Sequence, residues 1–73
     1  SMNEPFENLA NGIVIQAVKD YSRVIRLLRK HPKHNNALEH LGDIEEFFRS
    51  DWYNTLTDLD PEMLMSRVRE VLN

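Results

Sequence analysis

Apolar positions recur along the chain at the spacings of three and four residues that are typical of amphipathic helices. From Pro5 to Lys30 the two kinds of position fall on opposite sides of one predicted helix. The apolar side holds Val14, Val18, Tyr21, Ile25 and Leu28, with Ala17 and Val24 beside them, and the polar side holds Asn8, Gly12, Gln16, Lys19, Arg23, Arg26 and Lys30. Pro32 ends this helix because the residue before a proline disfavours helical geometry. Gly12 marks either a bend or a place where another helix comes close.

A second amphipathic helix follows the connection 31–36. Asn35 or Asn36 can provide its N-cap, because a short polar side chain accepts a hydrogen bond from an unpaired backbone N–H. Its apolar positions are Leu38, Leu41, Ile44, Phe47 and Phe48. Ser50 and Asp51 then indicate a cap or a break, after which the segment around Trp52, Tyr53 and Leu56 either forms a short helix or continues the second helix at an angle.

The start of the last helix is the clearest local signal in the chain. Asp60 is placed as N-cap, Pro61 as the first helical residue and Glu62 in the first turn, where its charge favours the helix dipole. Leu59 and Leu64 match a hydrophobic staple. The inward face is then predicted to hold Leu64, Val68, Val71 and Leu72. No period-two pattern predicts a strand, so the fold class is all-α, either a small three-helix bundle or an angled helical hairpin with a short C-terminal helix.

The length limits the chain to one domain, residues 1–73, and Ser1 before Met2 indicates a tag remnant. A chain this small usually needs a disulfide, a metal or a partner for stability, and the sequence contains no cysteine. No segment approaches the roughly 20 apolar residues of a membrane span, and the N-terminus lacks the pattern of a signal peptide. We therefore expect a cytoplasmic protein that does not contact a membrane.

Charge is distributed unevenly although the net charge is only −3. Residues 1–37 carry six Lys or Arg and three Asp or Glu, whereas residues 38–73 carry three Lys or Arg and nine Asp or Glu. Four of the basic residues form one stripe on the first helix, namely Lys19, Arg23, Arg26 and Lys30. Such a stripe can bind phosphates or an acidic partner, but it can equally be a solvated face or pair with the acidic second helix.

The sequence offers little for catalysis or metal binding. His31 and His34 would need two more zinc ligands, of which His40 is one candidate, and neighbouring lysines oppose a cation. The alternating acids Asp58, Asp60 and Glu62 fail the calcium-loop pattern, because its sixth and twelfth positions are here occupied by methionine and arginine. We expect neither enzyme activity nor a cofactor.

Two groups of apolar residues are candidates for a partner interface. Phe48 and Trp52, four apart, are predicted to be buried in the core, while Phe47 and Tyr53 fit core and interface equally well. The N-terminal third of the first helix is expected to remain uncovered by the rest of the chain, which leaves Phe6, Leu9, Ala10 and Ile13 exposed. The candidate interface comprises Phe6, Leu9, Ile13, Phe47 and Tyr53, and a self-complementary apolar end of this kind favours a homodimer.

The segments "AVKDY", "FFRSDW" and "LTDLD" resemble motifs of small uncharacterised proteins from phages and integrative elements of Firmicutes. The matching residues are Ala17, Val18, Asp20 and Tyr21, then Phe47 to Trp52, then Leu56, Thr57, Asp58 and Asp60. Many of those proteins have glycine where this chain has Pro61, which would alter the turn before the last helix. The resemblance implies a mobile-element setting and brings no established activity. Together with the residue patterns it predicts a protein–protein interaction module, with a small nucleic-acid-associated regulator that uses the basic stripe as the alternative.

Overall fold

The computed structural model describes residues 3–72; Ser1, with its expected status as a tag remnant, Met2 and Asn73 lie outside the described residues. Within that range the chain forms four helices and no strand, which confirms the all-α fold class. The helices are α1 (Glu4–Lys30), α2 (Asn35–Phe48), α3 (Asp51–Leu56) and α4 (Pro61–Val71). The segment around Trp52 is thus a short helix of its own. None of the described helices is both long enough and apolar enough to cross a membrane.

The long helix α1 is the axis of the fold, and α2, α3 and α4 all pack against it. At 1.5 Å per residue its 27 residues span about 40 Å, which accounts for the elongated dimensions of 46 × 22 × 17 Å. The face that α1 presents to the other helices carries Val14, Tyr21, Val24 and Ile25, all of them buried. The amphipathic pattern of the sequence therefore identified the packed face of α1 correctly.

An aromatic cluster holds the first three helices together. Tyr21 of α1, Phe48 of α2 and Tyr53 of α3 are completely buried. The ring of Phe48 meets those of Tyr21 and Tyr53 edge-on, with centroids 5.7 and 5.6 Å apart. Phe47 is partly buried and packs edge-on against Phe48 and Tyr53 at 5.6 and 5.9 Å. These geometries add about 0.5–1.5 kcal/mol per pair to the effect of burial.

Three of the four helices begin at a residue whose side chain caps the helix. Asp60 accepts hydrogen bonds from the backbone N–H groups of Glu62 (2.9 Å) and Met63 (3.3 Å), as predicted. Ser50 caps α3 by accepting from the N–H of Tyr53 (3.1 Å). For α2 the prediction of Asn35 or Asn36 was wrong, because His34 is the N-cap and its Nδ1 accepts from the N–H of Ala37 (3.1 Å). The backbone of His34 is extended, as an N-cap requires.

The predicted burial of Trp52 was wrong, since 53% of this residue is exposed. The prediction extended the helical spacing of α2 from Phe48 to Trp52. The chain instead breaks at Ser50, whose backbone is extended with φ −87° and ψ 159°. In the new register Tyr53 and Leu56 face the core, and Trp52 lies about 100° away from Tyr53 around α3.

Two further apolar predictions failed for the same geometric reason. In α2 the buried row passes through Ala37, Ile44 and Phe48, which leaves Leu38 46% exposed. In α4 the fully buried side chain is Met65, with Val68 partly buried beside it. Val71 lies outside this row and is 76% exposed. Leu38 and Val71 each lie next to the packed row of their helix but point to one side of it, towards solvent.

The first turns of α1 are only partly uncovered. Phe6 and Leu9 are 55% and 64% exposed, as expected, but Ala10 is buried and Ile13 is half-buried. Since a Cβ built on Gly12 would meet no atom within 4 Å, this glycine does not serve close helix packing within the chain.

Candidate interaction surface

An apolar strip follows one edge of α1 from its first turn. The N-terminal strip comprises Phe6, Leu9 and Ile13, which are spaced by three and four residues and therefore share one side of the helix. Ala10, which lies next to this side, is turned into the core and is buried. Large exposed apolar residues that share a helix edge are unusual enough on a small domain to indicate a contact surface.

The strip leads into a groove between α1 and α2. The α1/α2 groove has a volume of about 500 Å³. Its apolar floor consists of Ile13 and Ala17 from α1 and Ile44 and Phe47 from α2, while Gln16, Asp20, His40 and Asp43 line its polar rim. Ile13 belongs to both the strip and the groove, so the two surfaces are continuous.

The groove has an acidic edge. Glu39, Asp43 and Glu46 follow one side of α2 at spacings of four and three residues and are exposed. Two smaller concavities extend the groove along this side, one lined by Glu39 and Asp43 among others and one by Asp43 and Glu46. From Asn36 to Phe47 the lined length of α2 is about 17 Å.

Asp20 contributes a further negative charge from the α1 side. The hydrogen bond from Gln16 Nε2 (3.0 Å) is the largest cause that lowers the pKa of Asp20, partial desolvation opposes it, and Arg23 and His40 contribute smaller decreases. The carboxyl is consequently ionised at neutral pH. The effect of His40 also shows that the imidazole on α2 lies near Asp20 across the groove.

The basic stripe occupies a different side of α1. Lys19, Arg23, Arg26 and Lys30 are all exposed. Arg23 Nη2 pairs with Asp20 of the same helix at 2.9 Å. Among residues 3–72 no ion pair joins the stripe to the acidic helix α2. Among the described residues the alternative in which the stripe pairs with the acidic helix α2 is therefore not realised.

The acidic half of the chain is instead paired with arginines of α4 and of the α2–α3 connection. Glu45 Oε2 accepts a hydrogen bond from the hydroxyl of Tyr21 (2.8 Å) and lies 3.9 Å from Arg69 Nη1, which also donates to that hydroxyl (2.7 Å). Arg49 lies 3.7 Å from the other oxygen of Glu45 and binds both oxygens of Glu62 at 2.7 and 3.1 Å. This polar network, Tyr21–Glu45–Arg69 with Arg49 and Glu62, connects α1, α2 and α4.

Hydrogen bonding between Arg49 and Glu62, the exposed pair of the network, shifts the pKa values of both residues. Arg49 lowers the pKa of Glu62, chiefly through their hydrogen bond, and Glu62 raises the pKa of Arg49 for the same reason. Both groups are solvated, so the pair adds little to stability. Its geometric effect is to hold the first turn of α4 against the end of α2.

One of the three histidines and two of the three alternating acids have structural partners. His34 uses Nδ1 to cap α2, Asp60 caps α4 and Glu62 binds Arg49. No group of three or more potential metal ligands occurs in the part of the chain that the structure describes.

The structure separates the five predicted interface residues. Phe6, Leu9, Ile13 and Phe47 lie on the strip and the groove, but Tyr53 is completely buried and its hydroxyl donates to the carbonyl of Leu59 (2.9 Å). Tyr53 is thus not available to a partner. The acidic edge was missed, although the spacing of Glu39, Asp43 and Glu46 is visible in the sequence.

No protein-family model, curated protein or solved structure matches the chain. Its function must therefore be argued from its own surfaces.

Proposed function

We propose that this chain is a non-enzymatic helical interaction module that acts through protein–protein contacts and self-associates. The observation that carries the proposal is the N-terminal strip, where Phe6 and Leu9 are more than half exposed beside a half-buried Ile13. Burying such side chains stabilises an interface by about 25 cal/mol per Å² of apolar surface. A domain of this size also gains the stability that a small core does not supply.

A two-fold homodimer is the assembly that this strip favours. An isologous interface brings the same patch of both copies together, and a row of three apolar residues on one helix edge can pack against its own copy in antiparallel orientation. That orientation also opposes the two helix dipoles favourably.

Sedimentation equilibrium at micromolar concentration tests this assembly. We expect the wild type to sediment at twice its monomer mass of 8.6 kDa, and Leu9→Asp to sediment as a monomer because a carboxylate would be buried at the interface. Ile15→Asp is the matched control, since Ile15 is also more than half exposed but lies on another side of α1; this variant should remain dimeric.

Two outcomes would count against the proposal in different ways. A wild type that sediments at 8.6 kDa throughout the micromolar range would refute self-association. A dimer that Leu9→Asp leaves intact would place the interface elsewhere, with Phe47 in the α1/α2 groove as the remaining predicted site.

The resemblance to phage and mobile-element proteins suggests a more specific version of the proposal. In that version the module is an accessory protein that modulates a host or defence factor. The support is the shared "AVKDY", "FFRSDW" and "LTDLD" segments. Affinity capture from the native host, with Leu9→Asp as the control bait, would test whether such a factor binds.

A second candidate function is nucleic-acid binding through the basic stripe. The exposure of all four stripe residues and the lack of ion pairs to α2 among residues 3–72 favour it, whereas the low pI of about 5.5 opposes it. Binding to duplex DNA through four phosphate contacts would fall with salt with a logarithmic slope of about −3 to −4. Arg26→Glu with Lys30→Glu should abolish that binding and leave the dimer unchanged.

A further inference from the structure

The α1/α2 groove combines an apolar floor with a rim whose uncompensated negative charge lies on α2. The floor residues Ile13, Ala17 and Phe47 are only partly buried, so a ligand can still remove their remaining surface from water. Asp20 stands on the α1 rim and Asp43 on the α2 rim, and Glu39 and Glu46 extend the negative charge along α2.

The rim contains no lysine or arginine of α2, and its one histidine is His40. The acidic edge at residues 39, 43 and 46 has no ion pair within the described chain, because the arginines 49 and 69 bind Glu45 and Glu62 on another side. On α1, Arg23 binds Asp20 but extends from the basic stripe. The charge of the acidic edge on α2 is therefore not cancelled locally and attracts a positively charged ligand, whereas Asp20 on α1 is already paired.

The dimensions of the groove suit a helix. The lined part of α2 extends about 17 Å, which equals about three turns of an α-helix. A helix that lies between two others presents apolar side chains at i, i+3, i+4 and i+7 to the floor and polar side chains to both rims. Shape and charge together specify a basic amphipathic helix.

A second copy of the groove does not satisfy these requirements. Two grooves packed across a two-fold axis would bring acidic rims together, and like charges at close range oppose association. The N-terminal strip, which the dimer is proposed to use, meets the groove only at Ile13. The groove from Ala17 to Asp20 and along α2 thus remains open to a different ligand.

We propose that the α1/α2 groove is the docking site for a basic amphipathic helix of a partner protein, held by the apolar floor Ala17, Ile44 and Phe47 and by the carboxylates Asp43 and Glu46. This inference deepens the proposed interaction function by naming the chemistry of the partner. It does not depend on the homodimer, which sedimentation of Leu9→Asp tests separately.

Fluorescence anisotropy with a labelled synthetic peptide tests the docking site. The probe is a helical peptide of about 18 residues, with leucines at i, i+3, i+4 and i+7 and lysines at the remaining positions. One control peptide replaces the lysines by glutamate, and another keeps the lysines but replaces the leucines by serine. We expect the first control not to bind, and the second to bind at least about tenfold more weakly than the probe.

Charge reversal on the rim provides the matched protein variants. Asp43→Lys combined with Glu46→Lys should weaken binding of the probe at least about tenfold, mainly at low salt. Asp58→Lys combined with Glu70→Lys changes the net charge equally, at exposed positions outside the groove, and should bind the probe nearly as the wild type does. Circular dichroism checks that both variants remain helical. Amide chemical-shift changes on binding should concentrate in residues 13–20 and 36–50.

Three results would overturn the docking site. The first is equal affinity of the wild type and the Asp43→Lys, Glu46→Lys variant for the probe. The second is equal affinity for the leucine and serine peptides, which would show attraction between charges without use of the floor. The third is formation of wild-type assemblies larger than dimers that the same variant abolishes, because the groove would then hold the basic stripe of another copy.

Discussion

At the scale of single residues, the break at Ser50 determines which aromatic side chains are structural. Ser50 accepts a hydrogen bond from the N–H of Tyr53, and its hydroxyl donates to the carbonyl of Phe47 (2.6 Å). Through these two bonds Ser50 both closes the C-terminal end of α2 and caps the start of α3. Tyr53 is turned into the core as a result, and Trp52 is turned towards solvent.

We expect Trp52→Ala to lower the free energy of unfolding by only about 1 kcal/mol, because half of the side chain is already solvated. Phe48→Ala, at a completely buried position, should cost about 3–5 kcal/mol. Urea unfolding followed by far-ultraviolet circular dichroism measures both changes. A loss for Trp52→Ala as large as that for Phe48→Ala would contradict the exposed position, as would fluorescence of this single tryptophan that acrylamide fails to quench.

At the scale of helices, the N-caps differ in quality. Asp60 receives two backbone N–H groups at the start of α4, and Glu62 follows in the first turn. At the start of α2 a histidine serves as the cap, and the first turn contains no acidic residue. Among the three helices that begin at a capping side chain, α2 is therefore the one whose start leaves the most stability to be gained.

His34→Asp should raise the free energy of unfolding by about 0.5–1 kcal/mol, because aspartate is among the preferred N-caps and its charge interacts favourably with the helix dipole. Thermal and urea unfolding measure this gain. His31→Asp makes the same change of charge three residues earlier, outside the capping position, and should leave stability nearly unchanged. Equal gains in the two variants would show that the effect comes from the neighbouring lysines and not from the cap.

Helix starts and helix faces differ in how far the local sequence determines them. The start of α4 was predicted to the residue, because Asp60 and Pro61 act through their own backbone. The faces of α2 and α4 were predicted less well, since Leu38 and Val71 satisfy a helical spacing as well as their buried neighbours do. Only contact with α1 selects the row that is packed. The spacing of apolar residues in the sequence fixes the rotation of a helix about its axis only to within about 100°. It does not decide which of two neighbouring apolar rows is buried.

At the scale of the whole molecule, the polar network ties together helices that are distant in sequence. The hydroxyl of Tyr21 is its centre, since it donates to Glu45 and accepts from Arg69. The side chain of Arg29, in the last turn of α1, adds a second link by donating to the carbonyls of Arg69 (3.1 Å) and Leu72 at the end of α4. Donors at this position satisfy carbonyls that a helix leaves unpaired at its C-terminus.

Tyr21→Phe should lower the free energy of unfolding at neutral pH by about 1–3 kcal/mol, since Glu45 and Arg69 lose their shared partner. The same variant should also be less sensitive to alkaline pH. Burial raises the pKa of Tyr21, and the hydrogen bond to Glu45 raises it further. Burial likewise raises the pKa of Tyr53, with a smaller contribution from the charge of Asp60.

The direction of the alkaline effect follows from these raised values. A tyrosine whose pKa is higher in the folded than in the unfolded chain contributes stability that is fully present below the unfolded value near 10.0. That stability is lost as the pH rises through the folded pKa. Urea unfolding across this range should therefore show a shallower loss for Tyr21→Phe than for the wild type. Tyr53→Phe removes the other buried hydroxyl with a raised pKa and should flatten the profile in the same direction. Identical pH profiles for Tyr21→Phe and the wild type would contradict the assignment.

The candidate surfaces differ in the same way: the sequence predicts one of them, whereas the other depends on contacts between distant parts of the chain. Phe6 and Leu9 were predicted to be exposed because α1 is longer than the helices that cover it, and that argument needs only helix lengths. The α1/α2 groove could not be predicted, because it depends on how far apart Ile13 and Phe47 are held by packing. The spacing of the charges in the acidic edge is visible in the sequence. Only the structure shows that these charges lie beside an apolar groove.

Local chemistry thus determined where α3 and α4 begin, where α1 ends and which broad face of it is apolar, because capping, proline geometry and amphipathic period act over a few residues. The tertiary structure decided the rotation of α2, α3 and α4 about their own axes. It thereby decided that Tyr53 and Met65 are buried while Trp52 and Val71 are exposed. Side-chain burial depends on the contact between helices. An apolar row in the sequence therefore shows which face of a helix is packed, but packing decides whether the residues at the edges of that row are buried or exposed.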